Sequence, residues 1–402
     1  MRVTTSLVYA LGLDALNRQN EKLLKLQQQI AADRRMLTPS DDPIGAAQAV
    51  GVTQAKARTA QYTANIGAAG DALVHAESML GQVADVLQAA RSHAVAAGGP
   101  ALSDADRRAI ATDLRAQLKH LVGLANAKDG DGAYLFSGFA TSTQPFAESA
   151  SGVVYNGDGG RRTMAVGPGR DIPVSESGDR VFMRIMNGNG AFAGSPGAAN
   201  AGSGVLMPGS VVDPTALTGD TYRIQFNVAA GVTTYDVIDV TTSTTLSSGN
   251  AYTSGTAITV AGMQVRIEGA PANADTFTLE PSSPQSVFET IENLVATLEA
   301  GAATTTERTR LTNGLNRGLG DIDQALEHLL TVRAEMGASL RELDSLSSGN
   351  EAQQLLHDTT LSRLQDLDYN AALSDFARQQ LALEAAQKSF IQVTRLSLFD
   401  YL

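Results

Sequence analysis

A seven-residue apolar repeat marks both ends of this 402-residue chain. Because seven residues make nearly two turns of an α-helix, such a repeat holds one narrow stripe against a partner helix. The pattern predicts helices in residues 1–37 and 351–402 that pack against each other as two stems. The repeated positions are Tyr9, Leu16, Leu23, Ile30 and Leu37 at the start, and Tyr369, Phe376, Leu383 and Phe390 at the end.

A second column beside each stripe begins with an apolar residue and becomes polar. Its members are Leu13, Asn20 and Gln27 in the first stem, and Leu373, Gln380 and Gln387 in the second. Amides in a helix seam weaken it but select register and the number of partners. Since so few large side chains bury little surface, we expect the stems to be marginal in a free chain and to order when neighbouring copies pack around them. The alternative is a coiled-coil stalk that folds by itself.

The chain between the stems begins with a predicted rod helix. Asp42 is a favourable N-cap, and Pro43 fits the first helical position, where no backbone N–H is needed. Apolar positions then alternate spacings of four and three to about Ala97, which predicts a helix roughly 80 Å long. The stripe consists of Tyr62, Ile66, Ala69, Leu73, Ala76, Leu80, Val83, Leu87, Ala90 and Ala94.

Three further helical stretches complete the predicted rod. One begins at Ser286, with Val287, Ile291, Leu294 and Leu298 on its apolar face. Ser103 and Asp106 have the spacing of a capping box at the start of a shorter helix. A long helix follows a gap near Gly301, with Arg333 as one polar intruder in its apolar stripe, and we expect a joint at residues 349–350.

Short strands are predicted where the helical period stops. Residues 134–139 form an aromatic strand in this interpretation, and residues 153–155 and 161–166 form a hairpin around the Asn-Gly-Asp-Gly-Gly turn at 156–160. Residues 187–219 have a loop composition rich in Gly, Ala, Ser and Pro. The later strands are predicted at Thr221–Val228, Thr233–Val240, Ala257–Val260, Met263–Glu268 and Thr276–Glu280.

The predicted fold class is α+β, mainly α. It is a long antiparallel coiled-coil-like rod formed by the N- and C-terminal segments, with a β-hairpin region and an inserted small all-β domain. The terminal stem comprises residues 1–37 and 351–402. The rod domain comprises residues 38–184 and 283–350, and the inserted outer domain comprises residues 185–282.

Composition narrows the class of protein. The net charge of −12 argues against nucleic acid as a partner, because phosphate binding requires clustered Lys and Arg. No apolar run approaches 18 residues, so membrane insertion is not expected. The first nine residues lack the apolar region of a cleaved secretory signal. The absence of Cys excludes disulfides and Cys-based zinc sites.

The sequence contains no pattern that predicts catalysis or a cofactor. The five His residues have no metalloprotease spacing and are expected on helix surfaces. Residues 129–132, Asp-Gly-Asp-Gly, lack the third acidic position and the closing Glu of a calcium loop, so a helix-terminating turn explains them. We therefore expect no catalytic, metal or cofactor-binding residues and no enzymatic activity.

Several motifs resemble a known family. Leu37-Thr38-Pro39-Ser40-Asp41-Asp42-Pro43, opening a long Ala- and Gln-rich helix, resembles the start of flagellin-like axial proteins. The end, Leu396-Ser397-Leu398-Phe399-Asp400-Tyr401-Leu402, is similar to the ends of hook–filament junction proteins. Tyr134-Leu135-Phe136-Ser137-Gly138 and Thr143-Gln144-Pro145-Phe146 also look like that group. The likeness covers roughly residues 1–180 and 285–402.

The resemblance implies a non-enzymatic building block of the bacterial flagellum. Family members form a ring of identical subunits between hook-associated protein 1 and the flagellin filament. They leave the cell unfolded, without a cleaved signal peptide, and an export chaperone binds the C-terminal helix. By resemblance, the assembly interface would consist of Leu16, Leu23, Ile30, Phe376, Leu383 and Phe390. The chaperone-binding face would consist of Leu383, Phe390, Ile391 and Leu398.

Three alternatives remain at the level of sequence. The first is flagellin itself, which has the same nested plan. The second is a coiled-coil binding module, whose ends would be folded and would not need to pair. The third is an enzyme whose catalytic domain is the β insertion, which would need a clustered acid, base and pocket there.

Overall fold

A computed structural model describes residues 5–150 and 152–395. The chain divides into two compact units, Met1–Asn65 with Ser345–Leu402 and Ile66–Asp344. The α-helices are α1 (Thr5–Ala32), α2 (Pro43–Ala97), α3 (Asp104–Ala125), α4 (Val287–Glu299), α5 (Thr305–Gln365) and α6 (Tyr369–Arg395). The mainly helical α+β class is confirmed.

The long helix α2 has the predicted bounds. Asp42 accepts a 2.9 Å hydrogen bond from the N–H of Gly45, which is the contact expected of an N-cap. From Ile66 onward every predicted stripe position is buried, and Leu80, Val83 and Leu87 are wholly inaccessible to solvent. The predicted capping box of α3 is also present, because Ser103 and Asp106 each accept the other's backbone N–H.

The helix α5 is longer than predicted. It continues without a joint through residues 349–350 and ends at Gln365, so the expected break there is wrong. One Gly inside a long helix costs only about 1 kcal/mol, which neighbouring turns offset. The intruding Arg333 donates to Oε1 of Glu77 on α2 from Nε (2.9 Å), and it therefore forms an ion pair within the rod.

Residues 134–139 form turns, and the predicted aromatic strand is wrong. Leu135 and Phe136 are buried, while the backbone bends at Gly138, whose φ is +74°. The ring of Phe136 packs edge-on against Phe182 in an aromatic cluster that also contains Phe146 and Phe288. Residues 135–138 are buried in succession because this turn packs into the cluster, and a short buried apolar run does not by itself distinguish a strand from a turn.

The strands in this region pair differently from the predicted hairpin. Strand β1 (Phe146–Ser149) pairs with β2 (Gly152–Tyr155), and β3 (Thr163–Gly167) pairs with β4 (Arg170–Pro173). The turn at 156–160 does not join β2 to β3 as a hairpin, because its Asp158 accepts hydrogen bonds from residues 139 and 140 instead. A five-residue π-helix, Asp179–Met183, follows.

The inserted region contains all five predicted strands and more. The strands from here on are β5 (Ile185–Met186), β6 (Phe192–Pro196), β7 (Val205–Val211), β8 (Tyr222–Ala229), β9 (Val232–Asp239), β10 (Thr244–Ala251), β11 (Ala257–Val260), β12 (Met263–Glu268), β13 (Thr276–Pro281) and β14 (Pro284–Gln285). Strands β6 and β7 lie within the predicted loop 187–219, so that interpretation is wrong for them. They join sheets despite their Gly and Pro content because β13 and β12 supply the missing hydrogen-bond partners.

Two antiparallel sheets form the core of the insertion. One has the order β10-β9-β8-β13-β6 and the other the order β11-β12-β7. Their buried faces contribute Ile224, Phe226, Ile267, Phe277 and Leu279, all wholly inaccessible. The short β5 and β14 pair with each other where the chain enters and leaves the insertion.

Helix α5 is hydrogen-bonded to the insertion by polar side chains on one face. Asn313 accepts the N–H of Leu206 (2.8 Å) and donates to the carbonyl of Gly204 (3.1 Å). Asp321 accepts the N–H of Gly188 at 2.8 Å. Buried polar groups require such partners, so these contacts fix how the insertion lies on α5.

Candidate assembly interface

Helices α1 and α6 pack against each other in opposite directions. The rings of Tyr9 and Phe390 lie 5.1 Å apart, and further along the pair the side-chain amides of Gln19 and Gln379 are hydrogen-bonded. The contact is close at Gly12, where an added Cβ would lie 2.5 Å from Cε2 of Phe390. A glycine at this position therefore lets the phenyl ring approach the backbone of α1.

The six residues predicted for the assembly interface lie on the less exposed faces of these two helices. Leu383 is buried with 9% exposure, and the other five are half-buried. The least exposed described positions on α1 are Gly12, Leu16, Gln19, Leu23, Leu26, Gln29 and Ile30, and those on α6 are Ala372, Phe376, Gln379, Leu383, Ala386 and Phe390. On each helix the less exposed positions form two columns, and the residues predicted for the interface make up one of them. The contact they form is a seam between α1 and α6 of the same chain.

The predicted second column is wrong, because all six of its members are exposed. Positions three and four residues away from a stripe lie on its opposite sides, and the seven-residue repeat alone does not say which side faces the partner. The second columns are instead headed by Gly12 and Ala372. The paired Gln19 and Gln379 take the amide role predicted for Asn20 and Gln380.

Both predicted stem helices, 1–37 and 351–402, are interrupted, and the two breaks lie side by side. Helix α1 stops at Ala32, so Leu37 lies in the turn before α2. The N–H of Arg35 donates to the carbonyl of Gln365 (2.8 Å), and its guanidinium donates to the carbonyl of Leu364 (3.0 Å). A cation at the last carbonyls of a helix satisfies acceptors that otherwise lack partners. Arg35 therefore caps α5 from the opposite segment.

Asp41 closes the turn before α2. Its Oδ2 accepts the N–H groups of Leu37 and Thr38, both at 2.9 Å, and its Oδ1 lies 2.6 Å from Nζ of Lys25 on α1. The hydrogen bond from Lys25, followed by those from the two backbone groups, holds the pKa of Asp41 well below its ordinary value. Across the break, Asp368 caps α6 by accepting the N–H of Ala371 at 3.0 Å. We call residues 33–42 with 364–368 the clasp.

The outer faces of α1 and α6 carry apolar side chains that the single chain leaves in solvent. Leu381 is 68% exposed, and Leu11 and Leu24 are nearly as open. Among the described side chains of the two helices, the exposed large apolar residues are Leu7, Tyr9, Leu11, Leu13, Leu24, Tyr369, Leu373, Leu381 and Ile391. Large apolar side chains left exposed in such number indicate a protein interaction site.

Family models match both ends of the chain. The bacterial flagellin N-terminal helical region matches residues 3–141, and the bacterial flagellin C-terminal helical region matches residues 319–402. Together these matches cover more than half of the chain.

Relatives that match over their full length narrow the family. Flagellar hook-associated protein 3 of Escherichia coli K12 is 28% identical over 400 residues, covering 100% of this chain and 99% of the relative. The flagellar junction protein FlgL from Legionella pneumophila, a crystal structure, is 31% identical with a TM-score of 0.71, covering 79% of this chain and 100% of that one. The chain belongs to the flagellar hook-associated protein 3 family. A FlgL crystal structure from Xanthomonas campestris is similarly close, with 34% identity, a TM-score of 0.71 and coverage of 77% and 99%.

Membership in the hook-associated protein 3 family makes this chain a structural component of the flagellum. Flagellin, the nearest alternative, shares the helical ends but is not favoured, because the full-length relatives are junction proteins. Within the described residues no helix is both long and apolar enough to cross a membrane.

The residues predicted to bind a chaperone have different environments in this hook-associated protein. Leu383 is buried in the seam, Phe390 is half-buried beside Tyr9, and Ile391 is 50% exposed. Leu398 lies outside the described residues. A chaperone that covered Leu383 and Phe390 would therefore compete with α1 for them.

The Asp-Gly-Asp-Gly segment forms a turn held by its first carboxylate. Oδ1 of Asp129 accepts the N–H groups of Asp131 (3.0 Å) and Ala133 (2.9 Å). Over residues 5–150 and 152–395, no three His, Asp or Glu side chains are placed to hold a metal ion.

Two functional features escaped the sequence patterns. Gly12 stands inside a helical period, where an isolated Gly signals either a weak point or a close approach. The capping contact of Arg35 depends on residues more than 300 positions away. No local signal could have located that contact.

Proposed function

We propose that this hook-associated protein forms a ring of identical subunits at the junction between hook-associated protein 1 and the flagellin filament. The α1–α6 pair would be the axial part of each subunit. The observation that carries the proposal is the exposed apolar outer face of this pair. Covering exposed apolar side chains in such number is favourable, and their exposure in the single chain is typical of a surface that meets a partner.

The six seam residues and the outer face have different roles in this proposal. Leu16, Leu23, Ile30, Phe376, Leu383 and Phe390 hold α1 and α6 together, and the outer leucines contact neighbouring copies. Burying one exposed Leu contributes roughly 1.5–3 kcal/mol. Several such side chains per helix supply what the half-buried seam does not, so folding of the stems is completed by assembly.

Coupled folding also fits an export route through a narrow channel. Stems that stay only marginally stable until they dock do not polymerise before export. A chaperone that covers Leu383, Phe390, Ile391 and Leu398 on α6 would keep the stems of different copies from pairing. In the proposed organisation the terminal stem, residues 1–37 and 351–402, lies nearest the axis of the flagellum. Residues 38–184 and 283–350 form the rod domain. The inserted domain, residues 185–282, lies on the outer surface of the flagellum.

A matched set of Asp substitutions tests the two roles. Leu383→Asp disrupts the seam, Leu381→Asp charges the outer face two residues away, and Val74→Asp adds the same charge to an exposed position of α2 (56% exposed). Each variant replaces the native copy in flagellated cells, and incorporation is measured in purified hook–filament structures. We expect Val74→Asp to incorporate normally and the other two variants to be lost.

The free proteins separate the seam from the outer face. We expect Leu383→Asp to lose helix content by far-UV circular dichroism, because a buried charge opens the pair. Leu381→Asp should keep it, and melting of residues 66–344 should be unchanged in both. Normal incorporation of Leu383→Asp would contradict the claim that the seam is needed for assembly. Normal incorporation of Leu381→Asp would contradict the claim that the outer face contacts neighbouring copies.

Immunogold electron microscopy with an antibody against residues 185–282 tests the position in the flagellum. The proposal predicts label confined to a narrow band between hook and filament. Label along the whole filament would instead make the chain a flagellin. Absence of label from any flagellum would favour the coiled-coil binding module.

A further inference from the structure

Exposed apolar side chains continue beyond the stems, on two helix segments of the same compact unit. These segments are residues 43–65 of α2 and residues 345–365 of α5. Ile44 on α2 is 73% exposed, and Leu356 on α5 is 60% exposed. The proposed stem interface uses neither side chain, so a second surface of this unit is left without a partner.

The two helix segments run in opposite directions. Lys56 of α2 forms an ion pair with Asp358 of α5. Ala49, seven residues earlier on α2, lines a pocket together with Gln365, seven residues later on α5. A step toward the start of α2 is therefore a step toward the end of α5.

The ion pair marks one side of the paired segments, and a second group of residues lies on the other side. Residues two positions apart on a helix point in nearly opposite directions, so Arg58 and Leu356 lie opposite Lys56 and Asp358. Residues seven positions apart return to the same side. The side opposite the ion pair, which we call the arginine side, therefore contains Ile44, Arg58, Leu356 and Arg363.

The side that carries the ion pair has a carboxylate and a pocket. Glu351 lies seven residues before Asp358 and so shares its side. The pocket has a volume of about 300 Å³, and Thr53, which lines it, is three residues from Lys56 and therefore on the same side. Its apolar walls include Met36, Leu37, Pro39, Ala46, Ala49 and Val50. We call this the glutamate side.

Charge is distributed unequally between the two sides. Apart from His357, the ionisable residues of segments 43–65 and 345–365 are Lys56, Arg58, Glu351, Asp358 and Arg363. Lys56 and Asp358 neutralise each other. Within the described residues, Arg58, Arg363 and Glu351 form no ion pair. Two unpaired cations therefore lie on the arginine side, and an unpaired anion lies on the glutamate side.

The groups on the two sides follow one another at matching intervals. In the direction of α2, the arginine side presents Ile44, then Arg363, then Arg58, about seven residues or roughly 10 Å apart. In the same direction, the glutamate side presents the pocket, then Asp358, then Glu351, at similar intervals. A second copy displaced by about six residues, roughly 9 Å, brings Ile44 to the pocket. The same displacement brings Arg363 to Asp358 and Arg58 to Glu351.

The pocket itself favours this register. Arg34 lines it, and the positive charge of Arg34 disfavours a second cation there. An uncharged side chain such as Ile44 meets the apolar walls without that repulsion, and its burial removes an exposed apolar group from water.

We propose that the arginine side of one copy packs against the glutamate side of the next copy. This contact rests on the proposed ring of identical subunits and adds a second interface to the one between stems. Two different sides of the same chain make a head-to-tail contact, which repeats around a ring. Complementary charges at such a contact fix its register and exclude wrong pairings.

A charge exchange tests the contact between Arg58 and Glu351. Arg58→Glu alone and Glu351→Arg alone each place like charges at every contact of the ring. Each should lower incorporation into purified hook–filament structures by about tenfold or more. A chain with both changes should incorporate as the native chain does, because opposite charges meet again. Arg341→Glu, at an exposed position of α5 outside this unit, is the matched control and should incorporate normally.

The free variants show whether the folded chain is intact. Arg58 and Glu351 are both exposed, so we expect native helix content by far-UV circular dichroism in each variant. A loss of incorporation with native helix content then reports on the contact between copies.

A cysteine pair tests the contact between Ile44 and the pocket, because the chain contains no Cys. Val50 lines the pocket and is 58% exposed. Flagella with copies carrying Ile44→Cys mixed with copies carrying Val50→Cys should form disulfide-linked dimers on oxidation, and copies carrying both changes should form a ladder. The two positions are six residues or roughly 9 Å apart on one helix, which is too far for a disulfide within a copy. Flagella that contain either change alone should form no dimers.

Immunogold labelling of the same flagella separates the two proposals. If native copies label the junction band and yet the double charge exchange incorporates no better than the single changes, the contact is wrong and the ring stands. Normal incorporation of Arg58→Glu, or a disulfide to another protein or between two copies of Ile44→Cys, also overturns the contact. If native copies do not label the junction, the proposed function itself fails.

Discussion

The same seven-residue spacing is buried in the rod and half-exposed in the stems. In α2 the stripe positions Leu80, Val83 and Leu87 are wholly inaccessible. In α1 and α6, Ala372 and Leu383 alone among the described side chains are buried. A seven-residue repeat therefore predicts that an apolar stripe packs against another element, but the number of packed elements decides how much of the stripe's surface is buried.

The two units also treat a carboxylate differently. In the clasp, Asp41 is held charged by Lys25 and by backbone N–H groups, which lower its pKa. In the second unit, Asp321 is buried beside the insertion, and burial raises its pKa despite the N–H of Gly188. The clasp therefore favours the ionised carboxylate of Asp41, whereas burial in the rod disfavours the ionised form of Asp321.

The largest expected effect is a difference in stability between the same Leu→Ala change in the buried rod and in the half-buried seam. Leu80→Ala should lower the free energy of unfolding by about 2–5 kcal/mol, since it leaves a cavity in a wholly buried site. Leu16→Ala, the same change in the half-buried seam, should cost about 1 kcal/mol or less in the free chain. Urea denaturation followed by circular dichroism measures both. Equal losses would mean that the seam is as well packed as the rod.

A smaller effect is expected where α4 approaches α5. A Cβ on Gly318 would lie 2.3 Å from Cδ2 of Leu294, so Gly318→Ala should destabilise the second unit by about 1–3 kcal/mol through overpacking. Gly337 on the same helix has no neighbour within 4 Å, and Gly337→Ala should stabilise it by up to about 1 kcal/mol. A lower melting temperature for Gly318→Ala and a higher one for Gly337→Ala, both relative to the native chain, would support the close approach of α4 to α5. A higher melting temperature for both variants would contradict it.

The smallest expected effects concern pH and have opposite signs in the two units. The pKa of Asp41 is lowered on folding, so its contribution is present above the ordinary value of 3.8 and is lost as pH falls below it. The pKa of Asp321 is raised, so its contribution is complete below 3.8 and is lost as pH rises.

Isosteric substitutions check these signs. Relative to the native chain, Asp41→Asn should be less stable at pH 7 and equal to it in strong acid. Asp321→Asn should gain on the native chain as pH rises from 3 to 7. Denaturation midpoints from strong acid to pH 7 provide the measurement, and parallel profiles for the two variants would refute the assignment.

Local signals predicted the rod well. Asp42 with Pro43 and Ser103 with Asp106 located two helix starts, because capping depends only on nearby residues. The buried stripe of α2 was also predicted, since its partners cover every member from Ile66 onward.

Tertiary contacts explain what the sequence did not predict. Strands β6 and β7 have loop composition and are strands only because β13 and β12 lie beside them. In the seam, Gly12 rather than Leu13 faces the partner, because the ring of Phe390 occupies the space next to Gly12. The clasp depends on Arg35 reaching α5, a contact that no spacing indicates.

Hydrogen exchange of the stems before and after assembly tests the central claim most directly. In the free chain, peptides from residues 5–32 and 369–395 should exchange within seconds to minutes, while peptides from residues 66–97 stay protected. In assembled flagella the terminal peptides should slow by at least about 100-fold, because neighbouring copies cover their outer faces. Stem amides equally protected in the free chain and in flagella would contradict coupled folding and leave a stalk that folds by itself.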